Sequence, residues 1–226
     1  MVQSEPAMMV YQLPSQIRGL IFDMDLTLYQ NKAYYRSQIK NQIVLLSSDL
    51  GMEIEALRQR LDEWQTRYRR DHGDRRPSFG NTLLGALEYP IEKSVELRKR
   101  AIRPEDYLSA DPRLQETLAL LEKSFRLVLL TNNPVEVAER TLRVLGVRGF
   151  FPNLIGLDTV GHSKPHPAAF ELAYQRLNLP ESQVVSIGDR VAVDLEVPLE
   201  RGSGAILVET MDDVYDLPRV LTAGKS

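Results

Sequence analysis

The chain predicts an α/β fold, a parallel sheet with helices packed on it, interrupted after its first strand by an all-helical insertion. Three observations lead there. From Pro112 onward, short apolar runs alternate with helical stretches, the pattern of successive βαβ units. Between Asn31 and Glu105 that alternation stops and only helical periodicity remains. Three apolar runs end in polar residues: Gly19–Phe22 in Asp23, Leu127–Leu130 in Thr131, and Val184–Ile187 in Gly188-Asp189. In open α/β sheets, ligand-handling groups gather at the carboxyl ends of strands.

The elements follow in order. Met1 to Ser15 reads as a short tail, with no basic segment followed by an apolar run of the kind that marks a secretory signal. Gly19–Phe22 is the first strand. Ala33–Leu50 and Ile54–Arg70 read as long amphipathic helices broken by Gly51, and Ser78–Leu87 and Ile91–Ile102 as further helices separated near Pro90. Arg113–Ser124 carries Leu114, Leu118 and Leu121 at helical spacing. A strand is expected over Phe125–Leu130. The next helix is opened by Pro134, runs through Leu145 and is ended by Gly146. Leu154–Leu157 is a strand candidate, Pro167–Leu177 a helix and Val184–Ile187 a strand. A helix is expected from near Asp194, with Gly202 after it, and Ala205–Val208 is the last strand. Right-handed crossovers place all the polar strand ends on one edge of the sheet.

Bulk properties narrow the function. The 226 residues are 43% hydrophobic and 26% charged, as in a globular protein, with a formal net charge of -3. That balance gives no reason to expect nucleic-acid or anionic-membrane partners. No stretch is long and apolar enough to span a membrane. The absence of cysteine excludes disulfides, thiolate metal sites and a Cys nucleophile, and fits a cytoplasmic setting. Residues 31–105 hold 15 Lys/Arg against 11 Asp/Glu, a net of +4, while the remainder holds 13 against 20, a net of -7. This reads either as a basic lid over an acidic floor, which would attract phosphates, or as scatter on solvated helix faces.

Four segments carry chemistry. In Asp23-Met24-Asp25-Leu26-Thr27, one carboxylate can attack phosphorus while the second protonates the leaving alkoxide and then takes a proton from water. A bound Mg²⁺ offsets the repulsion between an anionic nucleophile and an anionic ester. Thr131 and Asn132, between a strand and a helix start, form an anion site or simply a turn. Lys164, framed by Pro165 and Pro167, can hold nucleophile and phosphoryl group together or remain a solvated lysine. Asp189 supplies a hard oxygen suited to Mg²⁺. Asp194 either binds the ion through water or caps the following helix. His162 and His166 flank Lys164, but the intervening Pro165 argues against a shared metal. Glu196 reads as a first-turn helix charge.

Asp23-Met24-Asp25-Leu26-Thr27, Thr131-Asn132, Lys164-Pro165 and Gly188-Asp189 with Asp194 together resemble the four ordered motifs of the haloacid dehalogenase-like hydrolase superfamily, over about Gly19 to Val208. The resemblance implies a Rossmann-like core with helices on both faces, from residues 1–30 and 106–226, and a helical cap from residues 31–105. It implies Asp23 as nucleophile and Asp25 as acid/base. Mg²⁺ would be held by the Asp23 side chain, the Asp25 backbone carbonyl and Asp189. Thr131, Asn132 and Lys164 would hold the phosphoryl group. An acid at position 25 places the chain with the phosphatase branch. Pro198 departs from the pattern, since it falls within the helix expected after Asp194 and forces a late start or a kink.

The expected activity is therefore Mg²⁺-dependent hydrolysis of a small phosphorylated metabolite through an aspartyl-phosphate. The opening Leu28-Tyr29 and the cap are similar to those of nucleotidase-like and phosphoglycolate-phosphatase-like members. Alternatives are a non-hydrolytic phosphometabolite-binding protein and a hydrolase of a phosphonate or pyrophosphate bond; the phosphonate case would need a Schiff-base lysine such as Lys32 or Lys40. Specificity would come from Tyr34, Tyr35, Arg36, Asn81 or Arg103 in the cap, with packing as the other role for the two tyrosines. Arg67, Arg69, Arg70, Arg75 and Arg76, diluted by Asp71 and Asp74, read as a solvated helix end.

Overall fold

The computed structural model describes residues 8–222. Its strands are β1 (Met9–Gln12), β2 (Gly19–Phe22), β3 (Arg126–Leu130), β4 (Asn153–Ile155), β5 (Val184–Gly188) and β6 (Gly204–Leu207), in the order β1-β6-β5-β2-β3-β4. All pairings are parallel except β1 with β6. The expected tail at the N-terminus is corrected in part, because Met9–Gln12 forms an antiparallel edge strand. All four of its residues are exposed, so the strand is held by its ladder and shows no alternation that sequence could reveal. Met1–Ala7 lie outside the described residues.

Alternation along the central strands sends side chains to two cores. Leu20, Phe22, Leu127, Leu129, Val185 and Ile187 face one side, covered by α5 (Pro112–Glu122), α6 (Val135–Leu145) and α10 (Met211–Thr222). Ile21, Val128, Leu130 and Val184 face the other, against α8 (Pro167–Leu177) through Ala169, Phe170, Ala173 and Leu177. Between β2 and α5 come α1 (Lys32–Leu50), α2 (Ile54–Asp71), α3 (Phe79–Leu87) and α4 (Ile91–Ala101). These four helices share their own cluster of Ile43, Leu46, Leu57, Leu61, Leu83, Ala86 and Leu97. Helix α1 begins where the Asn31 side chain accepts the Tyr34 N–H and ends at Gly51 in the left-handed region.

Two other local expectations change. The strand expected over Leu154–Leu157 lies at Asn153–Ile155, and Leu157–Val160 is the short helix α7. The helix expected near Asp194 begins instead as a wide π turn over Val191–Leu195, continuing as α9 (Glu196–Glu200). Pro198 thus falls in the first turn of α9, where its missing N–H costs no hydrogen bond.

The topology positions the site. From β2 the chain builds outward through β3 and β4, then returns to β5 on the other side of β2. This reversal is where α/β sheets open a crevice for ligands. Phe22 is level with Leu129 on one side and with Ile187 on the other. Asp23, Thr131 and Asp189 consequently leave three adjacent strands at nearly one height.

Candidate active site

Asp23 leaves β2 with its N–H bonded to the Ile187 carbonyl at 2.9 Å. Its side chain is 3% exposed. The Thr27 hydroxyl donates to one carboxylate oxygen at 3.2 Å, and Lys164 Nζ to the other at 2.6 Å. Lys164 also reaches Asp194 at 2.7 Å. This buried ammonium therefore lies between two buried carboxylates. Burial alone would pull the Lys164 pKa down, but Asp194 and Asp23 outweigh it and the net direction is up. The lysine stays charged.

Asp194 is not the cap of a helix, which corrects one of its two expected roles. Its carboxylate accepts from Lys164 and, at 3.2 Å, from the Arg190 backbone N–H. The N-cap position of α9 is Leu195, with no side-chain bond. Gly188 makes room for Asp194: a Cβ there would stand 2.4 Å from the Asp194 Cβ. The glycine is required by this approach of β5 to the π turn.

Asp23, Asp189 and Asp194 offer oxygens that all lie within 4.8 Å of one another. One Asp189 oxygen is buried without a hydrogen-bond partner. The Arg190 guanidinium stands 3.5 Å from that oxygen, close enough for attraction between charges but outside good hydrogen-bond geometry. Burial, then the charge of Asp23, pushes the Asp189 carboxyl up to about 7. An orphaned buried oxygen in a trio of hard carboxylate donors fits a divalent cation.

Asp25 has different surroundings. Its carboxyl accepts from the Tyr29 hydroxyl, from Gln38 Nε2 at 3.0 Å and from Asn133 Nδ2 at 2.7 Å. Its pKa is raised, by burial first and by Asp23 second, against the opposing effect of the Tyr29 and Gln38 hydrogen bonds and of the Arg190 charge. A carboxyl that retains its proton more readily than usual beside one held by an ammonium is the division of labour expected of an acid and a nucleophile.

Thr131 is buried, and its hydroxyl accepts the Asn133 N–H at 3.1 Å. The Asn132 amide clamps the backbone of Lys164, accepting its N–H at 2.7 Å and donating to its carbonyl at 3.3 Å. Asn132 thereby ties the loop after β3 to the loop carrying Lys164. In the helical insertion, Tyr34 is fully buried, its hydroxyl 3.3 Å from that of Thr141 and its ring beside Tyr29 and Tyr107. It packs, as the second of its two expected roles had it. Tyr35 is half-buried, and burial, together with the charges of Asp25, Asp189 and Asp23, raises its hydroxyl against the effect of Arg190. It faces the site. Arg36 and Arg103 are exposed, as are Lys32 and Lys40. The Asn81 N–H is used by the Ser78 cap of α3. His162 and His166 stack with ring centroids 4.0 Å apart, and His166 accepts the Ala168 N–H. Among the arginines at the end of α2 and just beyond it, Arg75 pairs with Glu196 at 3.3 Å and Arg70 with Asp71; all these partners but Glu196 are exposed.

Sequence reasoning missed Gln38, Arg98, Asn133 and Arg190. Asn133 directly extends the Thr131-Asn132 pair. Gln38 shares a helix face with buried Tyr34 and Gln42, and Arg98 shares one with buried Ser94 and Ala101. A polar residue within an otherwise buried stripe was the available signal. Arg98 Nη1 donates to the Asn132 carbonyl at 3.1 Å and to Asn133 Oδ1 at 3.0 Å, and burial lowers its pKa to about 10.

The chain resembles several known proteins. The chain is 42% identical over 72 residues to a phosphoglycolate phosphatase of Colwellia psychrerythraea, a match spanning 32% of each protein. It is 26% identical over 190 residues to the phosphoglycolate phosphatase of Escherichia coli, covering 76% of this chain and 74% of that one. Its fold matches the crystal structure of a HAD phosphatase from Thermococcus onnurineus with a TM-score of 0.61 at 22% identity, over 91% of this chain and 98% of the other. The model of the haloacid dehalogenase-like hydrolase family matches residues 17–198, four-fifths of the chain and every one of the polar strand ends described above, and the chain belongs to that family.

Proposed function

We propose that the protein is a phosphomonoesterase acting on a small phosphorylated metabolite, with Mg²⁺ as its cation and Asp23 as its nucleophile. The observation that carries this reading is the meeting of Asp23, Asp189 and Asp194 oxygens within 4.8 Å around Lys164, with Asp25 alongside. The phosphatases among its relatives support it. Residues 31–105 act as the cap and the remainder as the catalytic core. The cytoplasm, where phosphorylated metabolites are made and used, is the proposed location. Among the described residues, no helix is long and apolar enough to cross a membrane.

Asp23, Asp189 and the backbone carbonyl of Asp25 would hold the ion, with Asp194 beside them. When bound, the ion would neutralise carboxylate and phosphoryl charge at the point of attack. Lys164 orients Asp23 through its 2.6 Å hydrogen bond, and supplies positive charge to the phosphoryl oxygens, joined by Thr131 and Asn132 at the end of β3. A bond forms between an Asp23 oxygen and phosphorus while the ester P–O bond breaks. The Asp25 proton passes to the leaving oxygen. Water then attacks phosphorus and gives its proton to Asp25. The acyl-phosphate P–O bond breaks, restoring the Asp23 carboxylate and releasing phosphate.

The test is a panel of nucleotides, sugar phosphates, phosphoglycolate and pyrophosphate, each with Mg²⁺ or chelator. Mg²⁺-dependent phosphate release from monoesters supports the reading. Release from pyrophosphate alone would move the activity to that bond. Binding without turnover across the panel would make the protein a phosphometabolite-binding one.

A further inference from the structure

The hydrogen bonds around Asp25 have a single direction. Arg98 carries only donors, and its Nη1 lies 3.0 Å from one end of the Asn133 amide. That end must be the oxygen, so the Asn133 NH₂ faces Asp25 at 2.7 Å. The same NH₂ reaches Gln38 Oε1 at 3.3 Å. This turns the Gln38 NH₂ toward Asp25 and the Tyr29 oxygen, 3.0 Å from each. Amide orientations are usually a matter of choice between two flips; here a residue with no acceptor decides both. Gln38, Arg98 and Asn133 are 4%, 6% and 1% exposed, so water does not compete freely for these bonds.

An ionised carboxyl has about four acceptor positions. Three on Asp25 are filled by Tyr29, Gln38 and Asn133, which leaves one for exchange with substrate. We propose that Gln38 and Asn133, oriented by Arg98, are positioning residues that hold the Asp25 carboxyl in the one rotamer able to protonate the leaving group. This rests on the phosphomonoesterase reading. Asp23 is held separately, by Lys164 and Thr27, so loosening Asp25 leaves the nucleophile in place.

The separation can be measured. An alkoxide needs a proton to leave, whereas p-nitrophenolate leaves as a stable anion. The ratio kcat/KM reports only steps up to departure of the leaving group, before water attack. In Gln38→Met and Asn133→Ala, kcat/KM for the best alkyl phosphate of the substrate panel falls about 10²-fold, the scale of general acid catalysis. The value for p-nitrophenyl phosphate falls less than about threefold, because proton transfer contributes little there. Gln38→Glu keeps the side-chain shape, places an acceptor where the donor stood, and gives the same split. Far-UV circular dichroism establishes that each variant is folded. Equal losses on both esters, or no loss on the alkyl ester, would overturn the proposal. If the unaltered protein hydrolyses neither ester, the phosphomonoesterase reading itself fails and this proposal falls with it.

Discussion

Asp189 is where the needs of folding and of the proposed chemistry conflict, and Asp189→Asn separates them. The carboxyl rises from 3.8 to about 7, by burial and by the charge of Asp23. Below about pH 4 both folded and unfolded chains hold its proton, and its full contribution to stability is present. As pH climbs toward about 7 the unfolded chain has released a proton that the folded chain retains, so stability is lost across that window. At about 1.4 kcal/mol per pK unit, the displacement corresponds to at most about 4 kcal/mol. The side chain is 15% exposed, and salt screening lowers the figure to about 2 kcal/mol. Its ion pair with the partly exposed Arg190 offsets about 1 kcal/mol or less. Asp189→Asn removes the buried charge and offers an amide donor to Asp23 or Asp194. In chelator at pH 8, the remaining gain of about 1–2 kcal/mol should set its Tm about 2–8 °C above that of the parent protein, from about 2–4 °C per kcal/mol at this chain length. At pH 5 the gain should shrink by more than half, since most of the window lies above. With Mg²⁺ at a hundredfold excess over Kd, the parent gains about 2.7 kcal/mol, whereas the variant gains little and is inactive. Differential scanning calorimetry at both pH values, with chelator and with Mg²⁺, reads all of this. A variant that melts at or below the parent in chelator at pH 8 would refute the electrostatic reasoning.

Asp23→Asn should retain the fold and lose phosphate release entirely; turnover near the parental rate would remove Asp23 as nucleophile. Lys164→Met leaves the buried carboxylates of Asp23 and Asp194 unpaired, and should cost about 3–5 kcal/mol in urea unfolding near neutral pH. A change below about 1 kcal/mol there would mean that neither carboxylate depends on the ammonium. Gly188→Ala places a methyl group 2.4 Å from the Asp194 Cβ; an overpacking cost of about 1–3 kcal/mol is expected, together with weakened Mg²⁺ dependence. Unaltered Mg²⁺ affinity in a folded Gly188→Ala protein would show that the position of Asp194 does not matter to the ion.

Much of this protein is legible in its order of residues, for local reasons. Gly19–Phe22 and Val184–Ile187 read as buried strands because short runs dominated by apolar residues, with only Ser186 polar among the eight, leave no solvent-facing side. Pro167–Leu177 and the Gly51 and Gly146 terminators read as helix and stops because proline and left-handed glycine act within a turn. The four polar segments were visible because each follows its strand or loop directly, and their order matched a known family. Edge strand β1 was invisible because its stability lies in backbone pairing with β6, which lacks a side-chain pattern. Asp194 stayed open between two roles because its partner, Lys164, lies 30 residues away. Gln38 and Asn133 were missed because their shared target, Asp25, lies 13 residues from one and 108 from the other. The chain by itself thus determined most of the elements and the polar segments that meet at the site, since periodicity, capping and strand-end position are properties of neighbours in sequence. Only the tertiary structure decided which donor holds which carboxyl, because a buried carboxylate takes its pKa and its orientation from whatever the fold brings within about 3 Å, however distant along the chain.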